Sequence, residues 1–165
     1  MKRRLLKKNN TYKIFPHNSE INLFFLNLEI KSINMTALYD TGAEFSLMSY
    51  QTFKEITKDE TQILNYEKGI IKTINSENRH TLKIIGSCKF NATIHTTCNI
   101  SIEIPITFMI TKESPIIPVI IGMNTIIRNR IADILHNKIL RIQGYDVNLQ
   151  EHSRLVYENL EKTSN

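Results

Sequence analysis

Apolar residues along this chain fall in short runs rich in Ile, at residues 21–30, 32–39, 70–74, 81–85, 89–94, 100–110 and 118–121, with polar residues between them. Leu26-Asn27-Leu28-Glu29-Ile30 and Ile100-Ser101-Ile102-Glu103-Ile104 alternate strictly. Successive side chains of a strand point to opposite faces, so alternation predicts strands with one face in the core. Helical spacing appears in three places only. Residues 49–56 form a short, polar-rich candidate, and residues 125–131 follow Asn124, a favoured N-cap residue. Residues 146–161 place Leu149, Ser153, Val156 and Leu160 along one face. A stripe that narrow either docks on the body or lies free. Residues 132–135 and 138–142 flank His136-Asn137 and predict a tight hairpin. With 5 Gly and 4 Pro in the chain, Asn and Ser must make many of its turns. The expected class is all-β.

Two segments carry candidate chemistry. Asp40-Thr41-Gly42-Ala43 directly follows the apolar run Met35-Thr36-Ala37-Leu38-Tyr39. An acid at the end of a buried strand is costly unless hydrogen bonds or a second charge compensate it. Gly42 lets another backbone or a ligand approach closely, and Thr41 offers a hydroxyl that Val would not. Asp and Gly are also ordinary turn residues, so the tripeptide alone is equally a strand-to-turn junction. About 80 residues downstream, Pro118-Val119-Ile120-Ile121-Gly122-Met123-Asn124 reads as strand, Gly and helix start.

The two segments together resemble the retropepsins, the aspartic proteases of retroviruses and LTR retrotransposons with their cellular relatives. Residues 69–86 are similar to that family's flap hairpin, and the resemblance covers roughly residues 20–145. It implies a closed-barrel-like acid-protease fold with one short helix after the Ile-Ile-Gly strand, here followed by a C-terminal helical tail. The expected organisation is a basic arm at 1–15, a protease domain at 16–145 and a helical tail or linker at 146–165.

The remaining aspartates, Asp59, Asp133 and Asp146, are not followed by Thr-Gly or Ser-Gly. A site that needs two such loops must therefore take its second Asp40 from another copy of the chain, and a two-fold dimer is the commonest oligomer. Two carboxylates that close cannot both ionise, so the pair holds one proton and acts as base and acid at once; this logic is general to the acid-protease dyads and borrowed from them. By resemblance, Asp40 activates the lytic water, Thr41 bonds across the axis, and Gly42 offers its carbonyl to an extended substrate. Ala43 and Glu44 line the substrate, as do Asn75, Ser76, Glu77 and Asn78 at the flap tip. Ser46, Gly122 and Asn124 support the loop, although Asn124 reads equally as a plain helix cap.

Two positions depart from the family pattern. Met123 stands where many viral members have Arg, so an ion pair with Glu44 cannot form; retrotransposon and cellular members often carry Met there. The flap tip is Asn-rich where viral ones are Gly-rich, and Asn tolerates positive φ.

The net charge of +5 is concentrated in Lys2, Arg3, Arg4, Lys7, Lys8 and Lys13; beyond residue 13 there are 15 basic against 16 acidic residues. The arm is a candidate for weak nucleic-acid contact, against the plainer reading of a solvated end or precursor scar. Cys88 and Cys98 lack a second pair, so they make no zinc cluster, and buried free thiols in a reducing compartment fit them better. His17, His80, His95, His136 and His152 are scattered outside any catalytic or metal motif. No metal and no cofactor are expected.

No apolar run approaches the roughly 18 residues of a membrane span, and no secretory signal is visible, so an intracellular setting (cytoplasm or virus-like particle) is expected. The expected activity is peptide-bond hydrolysis by a homodimer processing a retroelement polyprotein. The competing reading is a module of the same fold that binds or dimerises without cleaving.

Overall fold

The computed structural model describes residues 22–58, 69–74, 79–114 and 117–153, with the backbone alone at 69–74, 79–81 and 153. The chain forms two compact units, Phe24–Gln150 and a smaller one of Met1–Leu23 with Glu151–Asn165. In the smaller unit the Asn22 side-chain amide donates to the Glu151 carboxylate.

The strands are β1 (Asn22–Ile30), β2 (Ile33–Tyr39), β3 (Ser46–Ser49), β4 (Gly69–Ile74), β5 (Arg79–His95), β6 (Ser101–Thr111) and β7 (Val119–Ile121). They are followed by β8 (Ala132–Ile134), β9 (Ile139–Ile142), β10 (Tyr145–Asn148) and β11 (Gln150–Ser153). Two helices accompany them, α1 (Tyr50–Thr57) and α2 (Met123–Arg128). The larger unit is built on a sheet in the order β1-β2-β7-β3-β6-β5-β4. A further pairing of β1 with β5 at Glu29 and Thr93 curls this sheet back on itself. A second sheet runs β10-β9-β8. The all-β expectation holds.

Alternation builds the core. In β6, Ile102, Ile104, Ile106, Phe108 and Ile110 point inward with exposed or half-exposed residues between them. Leu28 and Ile30 of β1, Ala92 and Ile94 of β5, and Leu140, Ile142 and Val147 of the second sheet join the same cluster. Each fully buried Ile or Phe contributes about 1.5–3 kcal/mol of transfer free energy. Helix α1 starts at the N-cap Ser49, whose hydroxyl accepts from the Thr52 N–H, and it buries Phe53 and Ile56. The expected runs at 81–85 and 89–94 form one strand, β5, with a register irregularity between Ile84 and Gly86.

The structure corrects two expectations. The helix expected at 146–161 is replaced, as far as Ser153, by the strands β10 and β11, while 154–165 lie outside the described residues. Its reason is local: Val147 and Leu149 are both buried two residues apart, a strand period, and β10 pairs with β9 from Tyr145–Ile142 to Asn148–Ile139. Helix α2 begins at Met123 with Gly122 as its N-cap, so Asn124 lies in the first turn and is not the cap. Residues 46–48, where the sequence pattern predicts no element, belong with Ser49 to the strand β3, between β7 and β6. Residues 132–142 do form a hairpin, β8 against β9, turning through Leu135–Asn137 with Lys138 at φ 56°.

Candidate active site

Strand β2 ends at Tyr39, and residues 40–45 form the loop into β3. The loop is pinned at both ends to the strand and helix that carry Gly122. On one side, β2 runs parallel to β7, and the Asp40 N–H donates to the Ile121 carbonyl at 3.0 Å. On the other, the Met123 N–H donates to the Ala43 carbonyl at 2.8 Å and the Asn124 N–H to the Glu44 carbonyl at 3.0 Å. Within the loop, the Gly42 N–H donates to Asp40 Oδ1 at 2.8 Å and the Ala43 N–H to the Asp40 carbonyl at 3.2 Å. A backbone donor thus fixes one oxygen of the carboxylate.

The contact under the loop admits no side chain at Gly122. A Cβ there would lie 2.4 Å from the Phe45 carbonyl oxygen and 2.9 Å from that of Ala43. The reason for Gly is this close approach of backbones.

A buried polar network fills the space beside it. The Ser46 hydroxyl, fully buried, accepts from the Gly122 N–H at 3.0 Å, donates to Asn124 Oδ1 at 2.8 Å and lies 2.6 Å from the Thr125 hydroxyl. Asn124 Oδ1 also accepts the Ser46 N–H at 2.8 Å, while its Nδ2 donates to the Thr107 carbonyl at 3.0 Å. One amide side chain therefore joins the end of the loop, β3, α2 and β6. No buried side-chain N or O among the described residues is left without a partner, which in a low-dielectric interior makes such a network rigid.

Asp40 is half-buried in the single chain, Thr41, Gly42 and Glu44 are exposed, and Ala43 is half-buried. Asn75, Ser76, Glu77 and Asn78 lie outside the described residues. The arms that lead to them, β4 and β5, pair from Gly69–Ile84 to Ile74–Arg79. At the base of that hairpin, the Lys83 N–H donates to the Glu113 carboxylate at 3.0 Å, and this bond holds the Glu113 carboxyl below its usual range.

The chain has no matching family model and no matching curated protein. Among solved structures it is similar to the retroviral protease-like domain of Ddi1 from Leishmania major, with a TM-score of 0.59 and 17% identity over 79% of this chain and 96% of that domain. The fold is retropepsin-like. A retropepsin-like aspartic protease from Rickettsia conorii also matches, with a TM-score of 0.43 and 14% identity over 67% of this chain and 76% of that one.

This retropepsin-like chain brings Asp40, Thr41, Gly42, Ala43, Glu44, Ser46, Gly122 and Asn124 together in one place. Sequence reasoning missed Thr125, whose hydroxyl completes the Ser46 network, and Thr107, whose carbonyl anchors Asn124. It also missed Tyr39, whose hydroxyl donates to Asp133 Oδ2 at 3.0 Å. Cys88 is buried and Cys98 exposed, and neither is in a disulfide. The described residues hold no group of three or more His, Cys, Asp or Glu able to bind a metal, and no helix among them is long and apolar enough to cross a membrane.

Proposed function

We propose that this chain is an aspartic endopeptidase whose active site takes one Asp40 from each of two copies. The observation that carries the reading is the loop itself: Asp40-Thr41-Gly42 sits on a retropepsin-like fold, stapled to Gly122 and Asn124 through the buried Ser46. A rigid seat of this kind matters because hydrolysis needs the carboxylates held to a fraction of an ångström.

Two facing Asp40 side chains share one proton. The ionised one takes a proton from the water between them as the water oxygen attacks the scissile carbonyl carbon. The protonated one gives its proton to the carbonyl oxygen, so the tetrahedral intermediate carries no net charge. Collapse breaks the C–N bond: the protonated Asp40 gives its proton to the leaving nitrogen while the ionised one takes a hydroxyl proton from the intermediate as the new carboxyl group forms, which restores the shared-proton state. The Gly42 N–H engages Asp40 Oδ1, which leaves the second oxygen's lone pairs for the water. The exposed Thr41 hydroxyl has no hydrogen bond among the described residues, and bonding to the partner's loop would hold the two carboxylates coplanar. Gly42, Ala43 and Glu44, with the hairpin tip at residues 75–78, would receive an extended peptide.

The substrate we propose is a retroelement polyprotein that includes residues 16–145 as its protease domain, with the basic arm as a flank able to touch nucleic acid. The test is incubation of the purified protein with a mixed peptide library, with and without pepstatin, beside Asp40→Asn. Cleavage that pepstatin blocks and Asp40→Asn lacks supports the reading. A folded dimer that cleaves nothing makes it a binding or dimerisation module instead.

A further inference from the structure

Tyr39 is the residue before Asp40, and its ring is buried, with 5% of its surface exposed. Phe would fill the same space, so the hydroxyl is what needs an explanation. It donates at 3.0 Å to Asp133 Oδ2, a residue 94 positions away. Asp133 lies on β8, in the second sheet, so the bond links two sheets that are also joined by apolar contacts and, further away, by the Gln143 amide donating to the Glu103 carbonyl and the Thr97 N–H to the Asp146 carbonyl. Hydrogen bonds to a carboxylate are roughly twice as strong as neutral ones. Burial, reinforced by Asp133, pushes the Tyr39 proton far above its usual range, so the hydroxyl remains a donor at any working pH.

The position in the backbone gives this bond its reach. Tyr39 pairs with Ile121, and the Ile121 carbonyl accepts the N–H of Asp40. From there the next bond is Gly42 N–H to Asp40 Oδ1. Three consecutive anchors therefore lead from β8 to the carboxylate, and the first is a side chain gripping a separate sheet.

Resting on the proteolytic reading above, we propose that Tyr39 and Asp133 are positioning residues that clamp the strand end behind Asp40 and so set where its carboxylate stands. Neither touches the substrate; both act through the backbone of residues 39–42. Loss of the clamp lets the carboxylate wander, which lowers turnover while leaving substrate affinity intact.

The test uses the full chain in five forms: wild type, Tyr39→Phe, Asp133→Ala, Asp133→Asn, and the double variant Tyr39→Phe/Asp133→Ala. Peptide cleavage gives kcat and KM, and amide hydrogen exchange is read at Asp40 and Gly42. A displacement of the order of 1 Å costs up to about a hundredfold in rate, so a partly loosened clamp is expected to lower kcat about tenfold in Tyr39→Phe and in Asp133→Ala, with KM within about twofold. The double variant should be no slower than either single one, because both remove one bond. Asp133→Asn keeps an oxygen acceptor and should retain at least about half of the wild-type kcat. Exchange at Asp40 and Gly42 should quicken in every variant except Asp133→Asn.

Unchanged kcat and unchanged exchange in Tyr39→Phe would overturn the clamp, as would additive losses in the double variant. A loss carried entirely by KM would overturn it too. Should the wild type cleave nothing, the proteolytic reading falls, yet exchange at Asp40 and Gly42 still decides whether the bond fixes the loop.

Discussion

Gly122→Ala tests the packing under the candidate site most severely. The added methyl would stand 2.4 Å from the Phe45 carbonyl oxygen and 2.5 Å from its carbon, where ordinary contact begins at 3.4 Å. Both neighbours are backbone, so no side-chain rotation relieves the clash, and the loop must part from α2 by about 1 Å. That opening stretches Met123 N–H to Ala43 (2.8 Å), Asn124 N–H to Glu44 (3.0 Å) and Gly122 N–H to Ser46 (3.0 Å) beyond hydrogen-bonding range. Overpacking costs about 1–3 kcal/mol, and losing two or three such bonds adds roughly 1 kcal/mol each. A total of about 3–6 kcal/mol corresponds to a fall in Tm of about 10–25 °C for a domain of this size. Thermal unfolding followed by circular dichroism reads it directly. Gly144→Ala serves as the contrast: its Cβ would meet nothing within 4 Å, and only its φ of +80° opposes the change, at about 1–2 kcal/mol. A Tm for Gly122→Ala within about 2 °C of wild type would refute the close approach beneath the Asp40 loop.

Two further outcomes follow from the backbone and from burial. Lys31 (φ 50°) and Ser32 (φ 65°) form the two-residue turn between the paired Ile30 and Ile33, a geometry that favours Asn-Gly; the double substitution Lys31→Asn/Ser32→Gly should raise stability by about 1–2 kcal/mol in urea unfolding. Tyr39 holds its proton more tightly folded than unfolded, so its contribution is complete below the ordinary tyrosine value near 10 and is lost as pH rises from there towards the folded value. Stability measured across alkaline pH should fall in wild type and fall less steeply in Tyr39→Phe.

Much of this fold was legible because its strands alternate. Ile102 to Ile104 and Leu26 to Ile30 announce their buried faces, and β6 and β1 realise them, whereas Ile100 lies before β6 and is exposed. Strand β3 was not legible, since all four of its residues are buried and leave no alternation to read. The tail misled for a related reason. Val147 and Leu149 are two apart, but Leu149, Ser153, Val156 and Leu160 also fit a helical face, and pairing with β9 decides for the strand period over Tyr145–Asn148, with β11 continuing it to Ser153. At the site, Asp40-Thr41-Gly42 and Ile120-Ile121-Gly122 stand out locally, whereas Ser46, Thr125 and Thr107 converge only once β3, α2 and β6 are folded. Asn124 has the residue type of a cap, yet it spends its side chain on Ser46 and Thr107 while Gly122 takes the cap position. The Tyr39–Asp133 bond spans too much sequence for any pattern to announce it.

Subunit mixing tests the central claim most directly. If each active site takes one Asp40 from each chain, a dimer of wild type and Asp40→Asn has a single carboxylate and cannot hold the shared-proton state. Wild-type protein is held at fixed concentration, exchanged with a roughly ninefold excess of Asp40→Asn, and assayed for peptide cleavage. Random pairing leaves about a tenth of the wild-type chains in active dimers, so activity should drop to about a tenth. Activity unchanged by the excess mutant, with subunit exchange verified by mass-tagged chains, would contradict a site shared between two copies.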